Sequence, residues 1–504
     1  MKNWLSILLF LVTNNLLSQT WSKHYDFDIG NDYATHAVPV EEGVILQVIG
    51  LCDLNSIECR GLLKLDFDGN FKWKTILYDT LEWNGLRALV IREDTILLNM
   101  DYIWGPLSDK DFSVLSFDLQ GNYITRFDFE QQVPYASRDL LLRPDGKVLT
   151  QFDIRHPVTN RIIEYTRCYS QNWNLLWEIH TPETGTLNST KSIVSLDTGL
   201  VLGYTHWPGG GQILKFNVEK YDKNGQLQWH TQYPYEAENS GQVIKINALP
   251  DGSFVGAFGS DTFGLLAANV EIWFKLDANG NHLWEKATIY EERFIYHTFI
   301  NQDGNIIACG EMADYHFDTI DDPNLSAYIM CMNPDGERLW ERKILNKTTG
   351  VYTQQLYGGT ELPNGDLVFV GEIWDTIPTP ENPTYQDIWV IKTDKDGCFT
   401  PGCGEWQTLV PVIESPPVQA IKTFGIFPNP ASEYVYLASK MGEIIPDGSY
   451  SVRVYDSSGR FITAQNIDPL VLNRIGLETT APGVFTVALF RNGLLFQTLK
   501  GIKK

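Results

Sequence analysis

The residues of this chain best suited to chemistry sit in short stretches between apolar runs. The segments 101–112, 205–212, 311–324 and 372–387 carry Trp104, Trp207, Tyr315, His316, Trp374 and Tyr385. Side chains of this kind offer flat faces and polar edges to a sugar, or anchors to a protein partner. The competing reading is that each ring only packs its own loop, since single exposed apolar residues are normal. Asp314, Asp318 and Asp375 occupy the same segments and are candidate acids for a hydrolase or lyase. Glycosidic cleavage needs two carboxyls at a defined separation, which spacing along the chain does not set.

Other chemistries find less support. DFDGN at 66–70 resembles part of a calcium loop. Such a loop needs further oxygen ligands downstream, and here apolar residues and Trp73 follow. The motif therefore reads as a turn whose Asp bonds nearby backbone N–H groups, and no metal is expected. The nine histidines are scattered without metal-ligand spacing. HExxH, GxSxG, a P-loop and the glycine-rich dinucleotide fingerprint are all missing. A formal net charge of −23 argues against a nucleic-acid partner, because that affinity comes from Lys and Arg on phosphates.

The elements that must hold these loops follow from internal repetition. An Asp-x-Asn/Asp-Gly-x-x-x-Trp motif ends at Trp73, Trp229, Trp284 and Trp340, with weaker copies between and a half-copy ending at Gly397. Its turn positions are 69, 121, 173, 225, 280, 336 and 397. A second turn series lies at Gly43, Thr95, Gly146, Gly199, Gly252, Gly304 and Gly365. Between turns run short Val/Ile/Leu/Phe/Tyr-rich stretches such as VILQVIG (44–50), which suit strands and are too short for helices. One repeat reads as four antiparallel strands, a to d, the unit of a β-propeller blade. The expected fold is all-β: a seven-bladed β-propeller over 20–403. Trp21 is in register with the tryptophans of strand d, and the seventh repeat lacks that strand. Residues 20–28 are therefore expected to supply it and close the ring. The tight turns then share one face of the disc and the long loops the other.

The repeat resembles PQQ-type quinoprotein repeats and, more loosely, WD repeats. The quinoprotein Ala and Thr positions are missing and the period is longer. The resemblance implies fold only, with no cofactor.

Residues 1–19 read as a signal peptide, with Lys2 before a short apolar run and cleavage near Ser18 or Gln19. Export permits disulfides. Cys52–Cys59 and Cys398–Cys403 are expected to clip their own loops. Cys309 and Cys331 fall on neighbouring strands and Cys168 is left over; these three read as buried apolar residues or as partners for further bonds.

A Pro-containing linker is expected over 404–424. Beyond it come alternating strands that suggest a small immunoglobulin-like sandwich over 425–504. Phe427, Pro428, Asn429 and Pro430 open this segment. A Val-x-Asp-x-x-Gly-Arg hairpin carries Asp456, Gly459 and Arg460, and Gly483, Gly493 and Lys500 mark the last hairpin. These motifs look like the type A C-terminal sorting domain of the type IX secretion system of Bacteroidetes. The resemblance implies transport across the outer membrane by that system's translocon, removal of the domain by a sortase, and a secreted or outer-surface location.

The expected function is an exported, non-catalytic module that binds an extracellular glycan or protein. The alternatives are a glycan-active hydrolase or lyase, or a structural adhesin.

Overall fold

A computed structural model of the chain describes residues 20–25, 32–50, 60–77, 84–102, 112–129, 134–155, 162–180, 191–206, 214–237, 245–260, 270–288, 293–314, 324–346, 351–375, 386–409, 412–413, 424–427, 431, 433–439, 449–467, 473–477 and 481–504. The chain divides into two compact units, residues 1–416 and 417–504.

In the first unit, the described strands up to Thr393 fall into seven antiparallel sets of four. Sheets 1 to 6 span 33–77, 84–128, 134–180, 191–237, 245–288 and 293–346, each in chain order. Sheet 7 takes three strands from 351–393 and its fourth, Trp21–Tyr25, from the other end of the chain. Trp21 pairs with Lys392 and Tyr25 with Ile388. The innermost strands approach one another in sheet order, and that of sheet 7 (Val351–Glu361) returns to that of sheet 1 (Tyr33–Val40). The circle is closed, which is how a propeller avoids long open edges.

The repeated turns build the lock between sheets. In the turn before strand d, an Asx side chain accepts from backbone N–H groups: Asp66 Oδ1 from Asp68 at 3.0 Å and Asn70 at 2.8 Å. Asp118, Asp222, Asp277, Asn333 and Asp394 repeat this. The turn glycine has positive φ, 74° at Gly69, a region costly for other residues. It also lies beneath the strand-d tryptophan of the preceding sheet. A Cβ on Gly69 would stand 2.8 Å from the Trp21 ring, and one on Gly280 2.6 Å from that of Trp229. The indole N–H donates to the carbonyl two residues before the glycine: Trp21 to Phe67 at 3.1 Å, Trp177 to Lys223 at 2.8 Å, Trp229 to Ala278 at 3.0 Å and Trp284 to Pro334 at 3.2 Å. Where sheet 2 has Thr125 in place of Trp, the pattern is inverted. Trp173 takes the turn position and stacks on Phe127, centroids 4.9 Å apart.

Beyond Gly397 the chain covers sheet edges. Trp406–Leu409 pairs in parallel with Arg338–Asn346 of sheet 6, and Val412–Ile413 with Trp21–Tyr25. The stretch expected as linker thus begins with two strands. Its prolines mask what the outer strands require, which is a partner for their open hydrogen-bonding edges. Cys398 and Cys403 form a disulfide at this crossing, with Cα atoms 5.6 Å apart. Cys168, Cys309 and Cys331 are free and buried. Cys309 pairs with Ile329 and Cys331 with Ile307, two positions out of step on adjacent strands. Cys52 and Cys59 lie outside the described residues, as does the expected signal peptide.

The second unit has a three-stranded sheet (424–427, 434–439, 473–476) and a four-stranded one (450–456, 461–467, 483–491, 494–503). Val435, Leu437, Val452, Val454, Phe485 and Val487 form its buried core. Alternation of buried and outward residues along these strands is the pattern of a sandwich.

Candidate functional site

The inner strands carry a register that converges on the centre of the circle. Counted seven residues back from the a–b turn, the seven sheets place His36, Ala88, Asp139, Ser192, Lys245, His297 and Gly358 at the same position. In sheets 1, 3, 6 and 7 the pairing slips immediately before it, at Ala34/His36, Ser137/Asp139, Ile295/His297 and Leu356/Gly358. Such a bulge inserts one residue and re-aims its side chain.

In sheets 6 and 7 the inserted residues are Tyr296 and Tyr357, and each meets a carboxylate on the neighbouring strand. The Tyr296 hydroxyl donates to Glu311 Oε1 at 2.6 Å and that of Tyr357 to Glu372 Oε1 at 2.8 Å. The two tyrosine rings lie 5.1 Å apart. Gln355 joins the pairs, since its side chain bonds Glu311 and also meets the Tyr357 hydroxyl. Trp374 Nε1 donates to Glu372 Oε1 at 2.7 Å, and the Gln386 amide donates to Oε2. Glu311 and Glu372 are buried, and burial pushes both above the ordinary carboxylate range against the hydrogen bonds that lower them. The charge of Glu311 raises Glu372 further. Among the described residues, Glu311 Oε2 has no hydrogen-bond partner.

Of these groups, Tyr296, Tyr357, Glu372, Trp374 and Gln386 border a cavity of about 610 Å³. Its lining also includes Tyr33 and Arg60. His36, Lys245 and His297 complete it from the central ring. Burial lowers His36 to about 4 and His297 to about 3, and the Lys245 charge adds to both shifts. Both imidazoles are therefore neutral near pH 7. Burial also lowers Lys245 below the ordinary lysine range and raises Asp139 to about 6. The cavity lies where the a strands begin and the b strands end, the end of the sheets from which the long b–c segments leave.

Of the aromatic candidates from sequence, Trp374 stands at this cavity, 36% exposed. Trp104, Trp207, Tyr315, His316 and Tyr385 lie outside the described residues, as does Asp318. Asp314 and Asp375 end the strands Ile306–Asp314 and Leu367–Asp375. The carboxylates that the fold brings together are instead Glu311 and Glu372, three residues earlier on those strands. Reading only the loops missed them. The available signal was a shared offset: Tyr eight before and Glu seven after the turn glycine, in both of the last two repeats.

In the second unit, Asp456 Oδ1 accepts from the N–H of Ser458 at 2.9 Å and of Arg460 at 3.0 Å, and Arg460 Nε reaches Oδ2 at 3.0 Å. Gly459 and Gly493 have positive φ, 79° and 87°. Gly483 opens a strand paired along its length with the last one, where Lys500 faces Thr486. Phe427 ends the strand Phe424–Phe427, and Pro428, Asn429 and Pro430 lie outside the described residues.

Residues 425–502 match the model of the secretion system C-terminal sorting domain. This is a type IX sorting domain. It marks the chain for secretion to the cell surface or extracellular space, and it implies interaction with the type IX secretion machinery. No curated protein matches the sequence. Among solved structures, the chain is similar to the β-propeller domain of the Trilobed protease from Pyrococcus furiosus, at 9% identity and TM-score 0.44, over 74% of this chain and 98% of that one. It is also similar to an alpha-L-arabinanase from Penicillium chrysogenum, at 11% identity and TM-score 0.38, over 62% and 93%. A third is the acylaminoacyl peptidase of Pyrococcus horikoshii, at 11% identity and TM-score 0.43, over 82% of this chain but only 60% of that one.

Proposed function

We propose that the propeller is a non-catalytic binding module for an extracellular glycan or protein, with a glycan as its first ligand class. The sorting domain carries it out through the outer-membrane translocon, where a sortase removes residues from about 425 onward. Residues 1–19 serve as the signal peptide that first brings the chain to the periplasm. The observation that carries the binding reading is Trp374, half-exposed on the cavity with its indole N–H anchored to Glu372. An aromatic face held in place beside hydrogen-bonding groups loses little freedom on binding a sugar. A glycan array on the purified mature protein tests this. Binding that falls at least tenfold in Trp374→Ala supports it, and a blank array refutes the glycan class.

A second reading has an observation of its own. Glu311 and Glu372 are two buried carboxyls joined through Gln355, with pKa values raised by burial. Such a pair suits general acid catalysis. A substrate screen that finds cleavage lost in Glu372→Gln favours a hydrolase or lyase over a binding module.

A further inference from the structure

The central ring holds one lysine, Lys245, and among the described residues it has no direct partner. Among the described residues Lys245 makes no hydrogen bond, and no carboxylate lies within 4 Å of its ammonium; the nearest acid influence comes from Asp139 on sheet 3. His36 and His297, which share its cavity, are uncharged near neutral pH, and the Lys245 charge opposes protonation of either. Glu372 lines the same cavity, but its carboxylate is taken by Trp374, Tyr357 and Gln386. Arg60 adds another cation to the lining. A part-buried ammonium on a cavity wall with no carboxylate in contact has only solvent to answer its charge, and an anion brought by a ligand gives it a charge-assisted hydrogen bond. The formal net charge of the chain is −23, so a cavity lined by Lys245 and Arg60 runs against its overall charge.

We propose that Lys245 anchors the acidic group of a glycan, a uronate carboxylate or a sulfate ester, at the bottom of this cavity, while Trp374 holds a sugar ring at its rim. The proposal rests on the glycan reading above and narrows it to acidic polymers. Ring position supports it. Gly358 and Ala88 put no reaching side chain at the equivalent places in sheets 7 and 2, so Lys245 is the longest side chain at that level. A Cβ on Gly358 would stand 2.5 Å from the Thr35 carbonyl, so backbone of sheet 1 already fills that place.

The test uses the purified full chain, with polygalacturonate, its carboxyl-reduced neutral form, dextran sulfate and unmodified dextran as probes. Wild type is expected to bind polygalacturonate or dextran sulfate at least tenfold more tightly than the matching neutral polymer. The tighter of the two acidic probes tells carboxylate from sulfate. Lys245→Met, which keeps the aliphatic stem, loses that preference, and Lys245→Arg retains it. The melting temperature of each variant shows that the fold is intact. Equal binding of acidic and neutral polymers by wild type, or an unchanged preference in Lys245→Met, overturns the role of Lys245 and leaves the glycan reading standing. No binding of any polymer by wild type overturns the glycan reading itself.

Discussion

Trp21→Ala tests the closure of the ring at one side chain. Trp21 is 8% exposed, lies against Gly69 of sheet 1, and donates its indole N–H to the Phe67 carbonyl. Lys23 also stands over its ring, 5.6 Å from the centroid. Truncating a buried Phe or Trp to Ala costs about 3–5 kcal/mol. The Phe67 carbonyl also accepts from Lys392 Nζ at 3.1 Å, so the substitution does not leave it unpaired. That places the loss near the low end, about 3 kcal/mol. With an unfolding entropy of ~2.1 cal/mol/K per residue over roughly 400 residues, the melting temperature should fall by about 4 °C. The assay is the propeller's thermal transition, followed by tryptophan fluorescence and calorimetry. Trp406→Ala is the control: Trp406 is 43% exposed on an added edge strand, and its truncation should shift the transition by no more than about 1 °C. Equal small shifts in both variants would refute the claim that the N-terminal strand closes the circle.

Other outcomes follow from the same contacts. Burial lowers His24 in the closing strand from 6.5 to about 4. The unfolded chain therefore takes up a proton as pH falls through 6.5 while the folded one stays neutral, so this contribution is complete above pH 6.5 and lost as pH falls toward 4. The loss is about 3 kcal/mol over that window. His36 and His297 act in the same direction and Asp139 in the opposite one, so melting profiles of His24→Gln against wild type isolate the effect as a flatter fall below pH 6.5. Mass mapping without reduction should find Cys398 and Cys403 joined, and breaking so short a loop should cost on the order of 2 kcal/mol at most. Glu372→Gln should lower ligand affinity about tenfold and destabilise the fold by roughly 1–3 kcal/mol, because an amide meets the donors of Trp374 and Gln386 with one acceptor fewer. Titration and melting of that variant check both numbers. Removing residues 495–504 takes away Phe496, Leu499 and the Lys503 bond to the Leu477 carbonyl at 2.6 Å. Fractionation of the host should find this truncated chain retained in the periplasm, with the propeller transition unchanged.

Most of the scaffold was legible along the chain because turn chemistry is local. An Asp accepts from amides two and four residues on, and a glycine four before a tryptophan takes positive φ, so the Gly69 and Gly280 turns can be read within a few residues. The same local spacing put Trp21 in register and left the seventh sheet short of a strand, which together implied the clasp now seen between Trp21–Tyr25 and Gln386–Thr393. The five-residue separation of Cys398 and Cys403, and the ordered hairpins of the sorting domain, were equally short-range. The edge strands Trp406–Leu409 and Val412–Ile413 escaped that reading, because their partners lie elsewhere in the chain and their own composition resembles a linker. The cavity escaped it for the same reason. Glu311 and Glu372 sit inside ordinary-looking strands, and only a bulge turns Tyr296 and Tyr357 toward them. Lys245 stands beside His36 and His297 because inner strands from separate repeats meet around one centre. Sequence by itself determined the repeating unit, since its turns depend on contacts between near neighbours, and the spacing of those turns pointed to a strand missing from the last repeat. Tertiary structure alone decided which charges share the central cavity, since that depends on the closure of the whole circle.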